Sequence, residues 1–327
     1  MKLTRILRLT VLLYGAIVMA SPAQAEQSYP KVRPIEWVVP YPAGGGTDIV
    51  ARTIGESLSK SLGQNVIISN KPGAATAIGA DYVARAKPDG YVMLTGDTAT
   101  LAANPSLYPK LSYDPGRDFD SVGLLARFPM ILVVNPSVPA KNYTEFLAWA
   151  KSQKDGVNYA TPGSGSPHHL ATELFRSRTG LKLVHVPYRG AAPAVQDVVG
   201  GQVPMMFVDS ASGMQYIKAG RLRAIAIAND KRAEAFPDIP TLIELGLPDF
   251  EAYAWQGIVV PKGTPASVID TLNKAVRFAL TSPAVLEKFK VMGLEAIPST
   301  PQEMAKYSRE EEAKWAKVIH DSGIKVD

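Results

Sequence analysis

Val38-Val39-Pro40-Tyr41-Pro42-Ala43-Gly44-Gly45-Gly46-Thr47-Asp48 runs from an apolar strand end, through prolines and three glycines, into a helix start. The segment before it, Ile35 to Tyr41, is β-branched and aromatic and reads as a strand. The segment after it, Asp48 to Leu62, sets Val50, Ile54, Leu58 and Leu62 on one stripe and ends at Gly63, so it reads as an amphipathic helix. The alternation continues outward: strand Val66 to Ser69, helix Ile78 to Ala86, a Pro88-Asp89-Gly90 turn, strand Tyr91 to Thr95. Strands and helices in this order build βαβ units and a parallel sheet.

The pattern restarts past Arg127. Strands are expected at Ile131–Asn135, Val157–Thr161, Leu183–Pro187, Met205–Asp209, Leu222–Ala228 and Gly257–Val260. Helices are expected at 144–153, 167–179, 192–199 and 212–219, with three more closing the chain. Ser166-Pro167, Thr264-Pro265, Ser282-Pro283 and Thr300-Pro301 each put a capping hydroxyl before a proline at the first helical position. Thr300 and Glu303 add a capping box. The last helix carries Met304, Tyr307, Trp315, Val318 and Ile319 on one side and is expected to pack on a lobe. Strand, Gly-rich loop and helix at Val38–Asp48 are echoed at Tyr159–His169, as two similar α/β lobes would leave them. The fold class is therefore α/β, with two lobes each built on a mostly parallel sheet.

The glycines of the first loop let backbone turn and approach a ligand closely, and Gly45 is expected to need a positive φ. The following helix start offers free N–H groups and the positive end of a dipole, which together make an anion site. Gly44, Gly46 and Ile49 stand where a dinucleotide fingerprint needs three glycines, and no Gly-Lys-Ser/Thr follows, so neither nucleotide loop fits. The second loop, Thr161-Pro162-Gly163-Ser164-Gly165-Ser166-Pro167-His168-His169, has the same physics with more hydroxyls. It is not Gly-x-Ser-x-Gly, so a nucleophile elbow is unsupported. His168 and His169 are adjacent on a helix and face apart, so a shared metal is not expected. No cofactor is expected either.

Other candidate ligand contacts follow strand ends, where open α/β sheets bind ligands. They are Thr95, Asp97 and Thr98, then Tyr188 and Arg189, then Asp209. Arg189 suits a carboxylate, or else stands as a solvated charge. Asp209 either meets a cationic group or caps the next helix, and Trp255 either walls the pocket or belongs to the core. With the two loops, the candidate set comprises Tyr41, Gly44, Gly45, Gly46, Thr47, Asp48, Thr95, Asp97, Thr98, Thr161, Gly163, Ser164, Gly165, Ser166, His168, Tyr188, Arg189, Asp209 and Trp255.

The N-terminus has the layout of a secretory leader. Lys2, Arg5 and Arg8 precede an apolar run from Leu9 to Met19, and Ala23-Gln24-Ala25 supplies a cleavage site after Ala25. The run is too short for the ~20 residues of a membrane span. Those three cations account for most of the formal net charge of +5, so the rest is near balance and carries no nucleic-acid signature. With no cysteine in 327 residues, stability must come from a core rather than from disulfides.

Several segments, in register, resemble one family. Tyr41 to Asp48 is similar to its first signature, and Lys87-Pro88-Asp89-Gly90-Tyr91 with Asn104-Pro105 to recurring spacers. Val186-Pro187-Tyr188-Arg189-Gly190-Ala191-Ala192-Pro193-Ala194 and Gly200-Gly201-Gln202-Val203 resemble its middle signature, and Trp255 to Pro265 its late one. The family is the Bug group (Bordetella uptake gene products), the substrate-binding component of tripartite tricarboxylate transporters. The resemblance implies a type II periplasmic binding fold, with two segments crossing between the lobes near Arg127 and near Tyr253. Residues 26–127 and 253–327 would then form one lobe and 128–252 the other. It further implies a monomeric periplasmic protein that closes on a di- or tricarboxylate, an acidic amino acid or an aromatic acid. Membrane transporter subunits or a sensor would be its partner. A secreted hydrolase using His168 with Ser166 or Ser164 is the competing reading. The third glycine and Val208-Asp209-Ser210 depart from the family pattern and bear on ligand identity.

Overall fold

The computed structural model describes residues 29–324 and Val326. The expected leader, residues 1–25, lies outside the described residues. In chain order the elements are β1 (Ile35–Val39), α1 (Gly46–Leu62), β2 (Val66–Asn70), α2 (Ala77–Ala84), β3 (Val92–Asp97), α3 (Asn104–Leu107), α4 (Pro115–Asp118) and β4 (Phe119–Val134). There follow α5 (Tyr143–Ser152), β5 (Val157–Thr161), α6 (Pro167–Thr179), β6 (Leu183–Pro187), α7 (Ala191–Val199), β7 (Met205–Asp209), α8 (Ser210–Lys218) and β8 (Arg223–Ile227). The chain closes with β9 (Tyr253–Pro261), α9 (Ala266–Leu280), α10 (Pro283–Met292), β10 (Glu295–Ala296) and α11 (Pro301–Ser322).

Two sheets result, each the base of a lobe. The first runs β2-β1-β3-β9-β4, with β10 on β4. The second runs β6-β5-β7-β4-β8. In the first, β1 is parallel to β2 and β3 while β9 runs antiparallel to β3 and β4. In the second, β5 is parallel to β6 and β7 while β4 runs antiparallel to β7 and β8. Each sheet thus holds one inserted antiparallel strand, at the same place in its order. That shared order is the structural form of the echo between Val38–Asp48 and Tyr159–His169.

β4 belongs to both sheets. Phe119 to Pro129 pair with β9, and Met130 to Val134 pair with β7. The sequence reading saw only its second half, because Gly123, Arg127 and Pro129 interrupt the apolar run. Two register shifts against β9, at Ser121/Gly123 and Leu124/Ala126, mark where the strand departs from a regular alternation. The chain returns at Ala252, whose N–H donates to Ala228 O, and Tyr253 then opposes Pro129.

Capping follows the expectation at Ser166, Ser282 and Thr300, the last with a full capping box. Thr264 is a correction. Its hydroxyl donates to Pro261 O at 2.7 Å, closing the turn after β9, and α9 starts one residue later without a side-chain cap. The final helix also differs from expectation, since it packs on both lobes. α11 lies against β4, α3 and the π-turn over Thr98–Ala103, and also against α6. Its Met304, Trp315 and Ile319 are buried, and Arg176 on α6 donates to Ser322 O at 3.1 Å.

Candidate ligand-binding cleft

At the end of β1, Gly44 takes φ +85°, and its N–H donates to Asp48 Oδ2 at 2.9 Å. The same buried carboxylate accepts from Arg52 Nε and Asn70 Nδ2. Burial acts to raise its pKa, but the bonds from Arg52, Gly44 and Asn70 prevail and hold it below the ordinary value. Asp48 therefore pins the loop from behind, and the first turn of α1 has no side-chain cap. Gly45 has φ −81°, so the positive φ expected there belongs to Gly44 alone. Gly46 needs glycine for a different reason: a Cβ there would stand 3.1 Å from Asp209 Oδ1 and 3.2 Å from Phe128.

The second loop is also pinned from behind. Thr161 Oγ1 pairs with His185 Nε2 at 2.6 Å, and Gly165 N–H donates to His169 Nδ1 at 3.1 Å. His169 and His185 stack at 4.0 Å between ring centres. Burial, then the neighbouring His185 and Arg176, lower the His169 pKa to about 3. Ser166 accepts from His169 N–H and so caps α6 itself. Gly190 N–H donates to Pro162 O, tying the start of α7 to this loop.

Between the two loops lies a cleft of about 770 Å³, its open mouth included. Of the expected residues, Tyr41, Gly45, Gly46, Thr47 and Asp97 line it from the first lobe. Ser166, His168, Arg189 and Asp209 line it from the second, with Trp255 of the crossing strand β9. The others stand behind it. Thr95 accepts from Trp37 Nε1, Thr98 Oγ1 accepts from Trp255 N–H, and the Tyr188 hydroxyl donates to Asp197. Gly44, Asp48, Thr161, Gly163 and Gly165 shape the loops, and Ser164 does not reach the cleft wall. Sequence reasoning missed the start of α7, where Ala191, Ala192 and Pro193 line the cleft, and the floor residues Phe128, Ala254 and Gln256. Gly190, which ends a strand connection and has no side chain to satisfy the N–H groups of the helix it starts, was the available signal for α7.

Four helix starts converge here, and they divide into two kinds. α6 and α8 are capped by their own Ser166 and Asp209. α1 and α7 have glycine at the N-cap and no side-chain cap, so their first N–H groups stay available to an anion. The carboxylates in the cleft are already engaged. Asp97 accepts from Tyr41 Oη at 2.5 Å and from Thr100, yet burial keeps its pKa above the ordinary value. Asp209 accepts from His168 Nε2 at 3.1 Å and from Ser212 N–H at 2.9 Å. Burial opposes its ionisation, but His168 first and then Ser212 hold its pKa below the ordinary value. Arg189 is exposed at the rim and forms no ion pair among the described residues. Trp255 serves as both wall and core: it lines the cleft, is fully buried, and donates to Glu311 Oε2 at 3.0 Å.

The profile described as "Tripartite tricarboxylate transporter family receptor" matches residues 50–324. The chain belongs to this receptor family. Protein BugT of Bordetella pertussis is 36% identical over 327 residues, the whole of both chains. Among solved structures, Rhodopseudomonas palustris Rpa4515 with adipate superposes with a TM-score of 0.86 at 34% identity, covering 90% of this chain and 99% of that one. MatC from the same organism, with bound malate, gives 0.83 at 35% identity, covering 88% and 99%. These relatives make the fold a periplasmic binding protein fold and the family one of solute-binding proteins rather than enzymes. Consistent with that, the receptor's Ser166 hydroxyl is spent on a helix cap, and His168 bonds Asp209 rather than a serine. Among the described residues no helix is long and apolar enough to cross a membrane.

Proposed function

We propose that this receptor captures a small linear dicarboxylate between its lobes and delivers it to a membrane transporter. The observation that carries the reading is the pair of uncapped helix starts, α1 from one lobe and α7 from the other, facing one cleft. One ligand carboxylate would accept from the α1 start, with Gly45, Gly46 and Thr47, and the other from the α7 start beside Arg189. The floor of Phe128, Ala254 and Trp255 suits the methylenes between them. The adipate and malate of the two relatives belong to this chemical class. Residues 26–127 with 253–327 would move as one lobe and 128–252 as the other, working as a monomer in the periplasm after cleavage at Ala25.

A thermal-shift panel of adipate, malate, citrate, glutamate and benzoate on the chain from Glu26 tests this. A ligand at about 100 times its Kd adds about 2.7 kcal/mol of stability, a readily visible shift. A shift with the dicarboxylates that exceeds that with benzoate is expected. No shift with any acid, before or after unfolding and refolding to release resident ligand, would overturn the carboxylate reading.

A further inference from the structure

His168 is the one cleft histidine, and its side chain is only 8% exposed. One ring nitrogen, Nε2, is bonded to Asp209 Oδ2. The other, Nδ1, is buried and has no hydrogen-bond partner. Buried polar atoms are nearly always partnered, so the orphan nitrogen of a residue that lines a ligand cleft is a vacant hydrogen-bonding position. With the Nε2 proton given to Asp209, a neutral His168 offers Nδ1 only as an acceptor, which repels a carboxylate oxygen. A protonated His168 offers Nδ1–H as a donor, and the ionised Asp209 behind it stabilises that cation.

We infer that His168 Nδ1 is a proton-linked contact for one ligand carboxylate, so that binding takes up a proton onto the imidazole. This rests on the carboxylate reading above and adds to it a coupling between affinity and pH. The proton comes from solvent and stays on Nδ1, bridging ring and carboxylate; the ligand leaves as the anion and the proton returns to solvent. The ionisable groups around the ring are Asp209 at Nε2, then Arg189, Asp97 and Tyr41 lining the same cleft from other elements. His169 is its neighbour on α6, and its Nδ1 already accepts from Gly165. Glu311 of α11, which packs on α6, is engaged by Trp255, Trp315 and Lys314. Among the described residues, no other residue lining the cleft has a ring nitrogen without a partner.

Calorimetry of adipate, malate and benzoate in two buffers of different ionisation enthalpy, from about pH 6 to about pH 8, measures the proton directly. The wild-type chain is expected to take up a fraction of a proton that approaches one as the pH rises, and to bind up to about tenfold more weakly per pH unit above neutrality. His168→Asn places an amide near Nδ1 without a titration; it should bind with no uptake and a flat pH profile. Binding whose enthalpy is the same in both buffers would overturn the proton-linked role alone. So would uptake that survives in His168→Asn, since it would then belong to Asp97 or another group. Failure of every acid to bind would instead remove the carboxylate reading and this inference with it.

Discussion

Gly46 on α1 and Asp209 at the head of α8 meet across the back of the cleft, so closely that a methyl on Gly46 would stand 3.1 Å from the Asp209 carboxylate. Asp209 is fixed by His168 and by its cap on Ser212, and Phe128 blocks the other side, so neither neighbour yields freely. Gly46→Val should therefore wedge the lobes apart. Overpacking of this kind costs about 1–3 kcal/mol, which predicts ligand affinity lower by about tenfold or more with only a modest change in unliganded melting temperature. Calorimetry with adipate checks it, and Gly45→Ala is the contrast, because Gly45 has ordinary φ and its Cβ would meet nothing nearer than 3.9 Å.

Arg189 predicts selectivity by charge count. It is exposed, so its ion pair with a ligand is worth roughly 1 kcal/mol, or about fivefold in affinity. Arg189→Ala should weaken adipate by about that factor, more at low salt than at high, and affect benzoate less. Equal loss for both acids would remove Arg189 from the recognition of a second carboxylate.

Glu311 joins the cleft wall to the last helix. Its buried carboxylate accepts from Trp255 Nε1 and Trp315 Nε1 at 3.0 and 2.9 Å. Glu311→Ala would strand two indole donors and open a cavity, at a cost of about 2–5 kcal/mol in denaturant unfolding. Tryptophan fluorescence of the folded variant should shift as both indoles lose their acceptor.

His169 predicts a pH dependence of stability. Its folded pKa is about 3, depressed from an unfolded value of 6.5. The unfolded chain therefore binds more protons between those values, and stability rises with pH across that window. The contribution is fully present above about 6.5 and is lost progressively on acidification towards 3. One histidine gives a slope of about 1.4 kcal/mol per pH unit, so about 2 kcal/mol should vanish by about pH 5. His169→Asn keeps an acceptor for Gly165 and does not titrate; its unfolding free energy should fall less over the same range.

The elements that were legible in the sequence are those with one local cause. β5, β6, β7 and α6 have the bounds expected from β-branched runs and from the Ser166-Pro167 cap. β4 was only half legible, because its pairing partner changes along its length and its first half carries Gly123, Arg127 and Pro129. In the cleft, polar side chains near strand ends were the visible signal, and many of them proved to support the loops from behind, as Asp48, Thr95 and Thr161 do. The start of α7 was overlooked because what it presents is backbone, and Gly190-Ala191-Ala192 carries no chemistry in its side chains. The pairing of His168 with Asp209 joins positions on different elements, and nothing local in either segment announces it.

The placement of β9 and α11 also fixes an order of events during synthesis. β9 fills the middle of the first sheet yet is made only after the strands of the second, and α11, whose Met304, Trp315 and Ile319 enter the same core as Phe175 and Phe207, is made later still. A chain that has not yet made α11 has the strands of both sheets but leaves apolar surface of each lobe uncovered. One helix therefore couples the final packing of the two lobes.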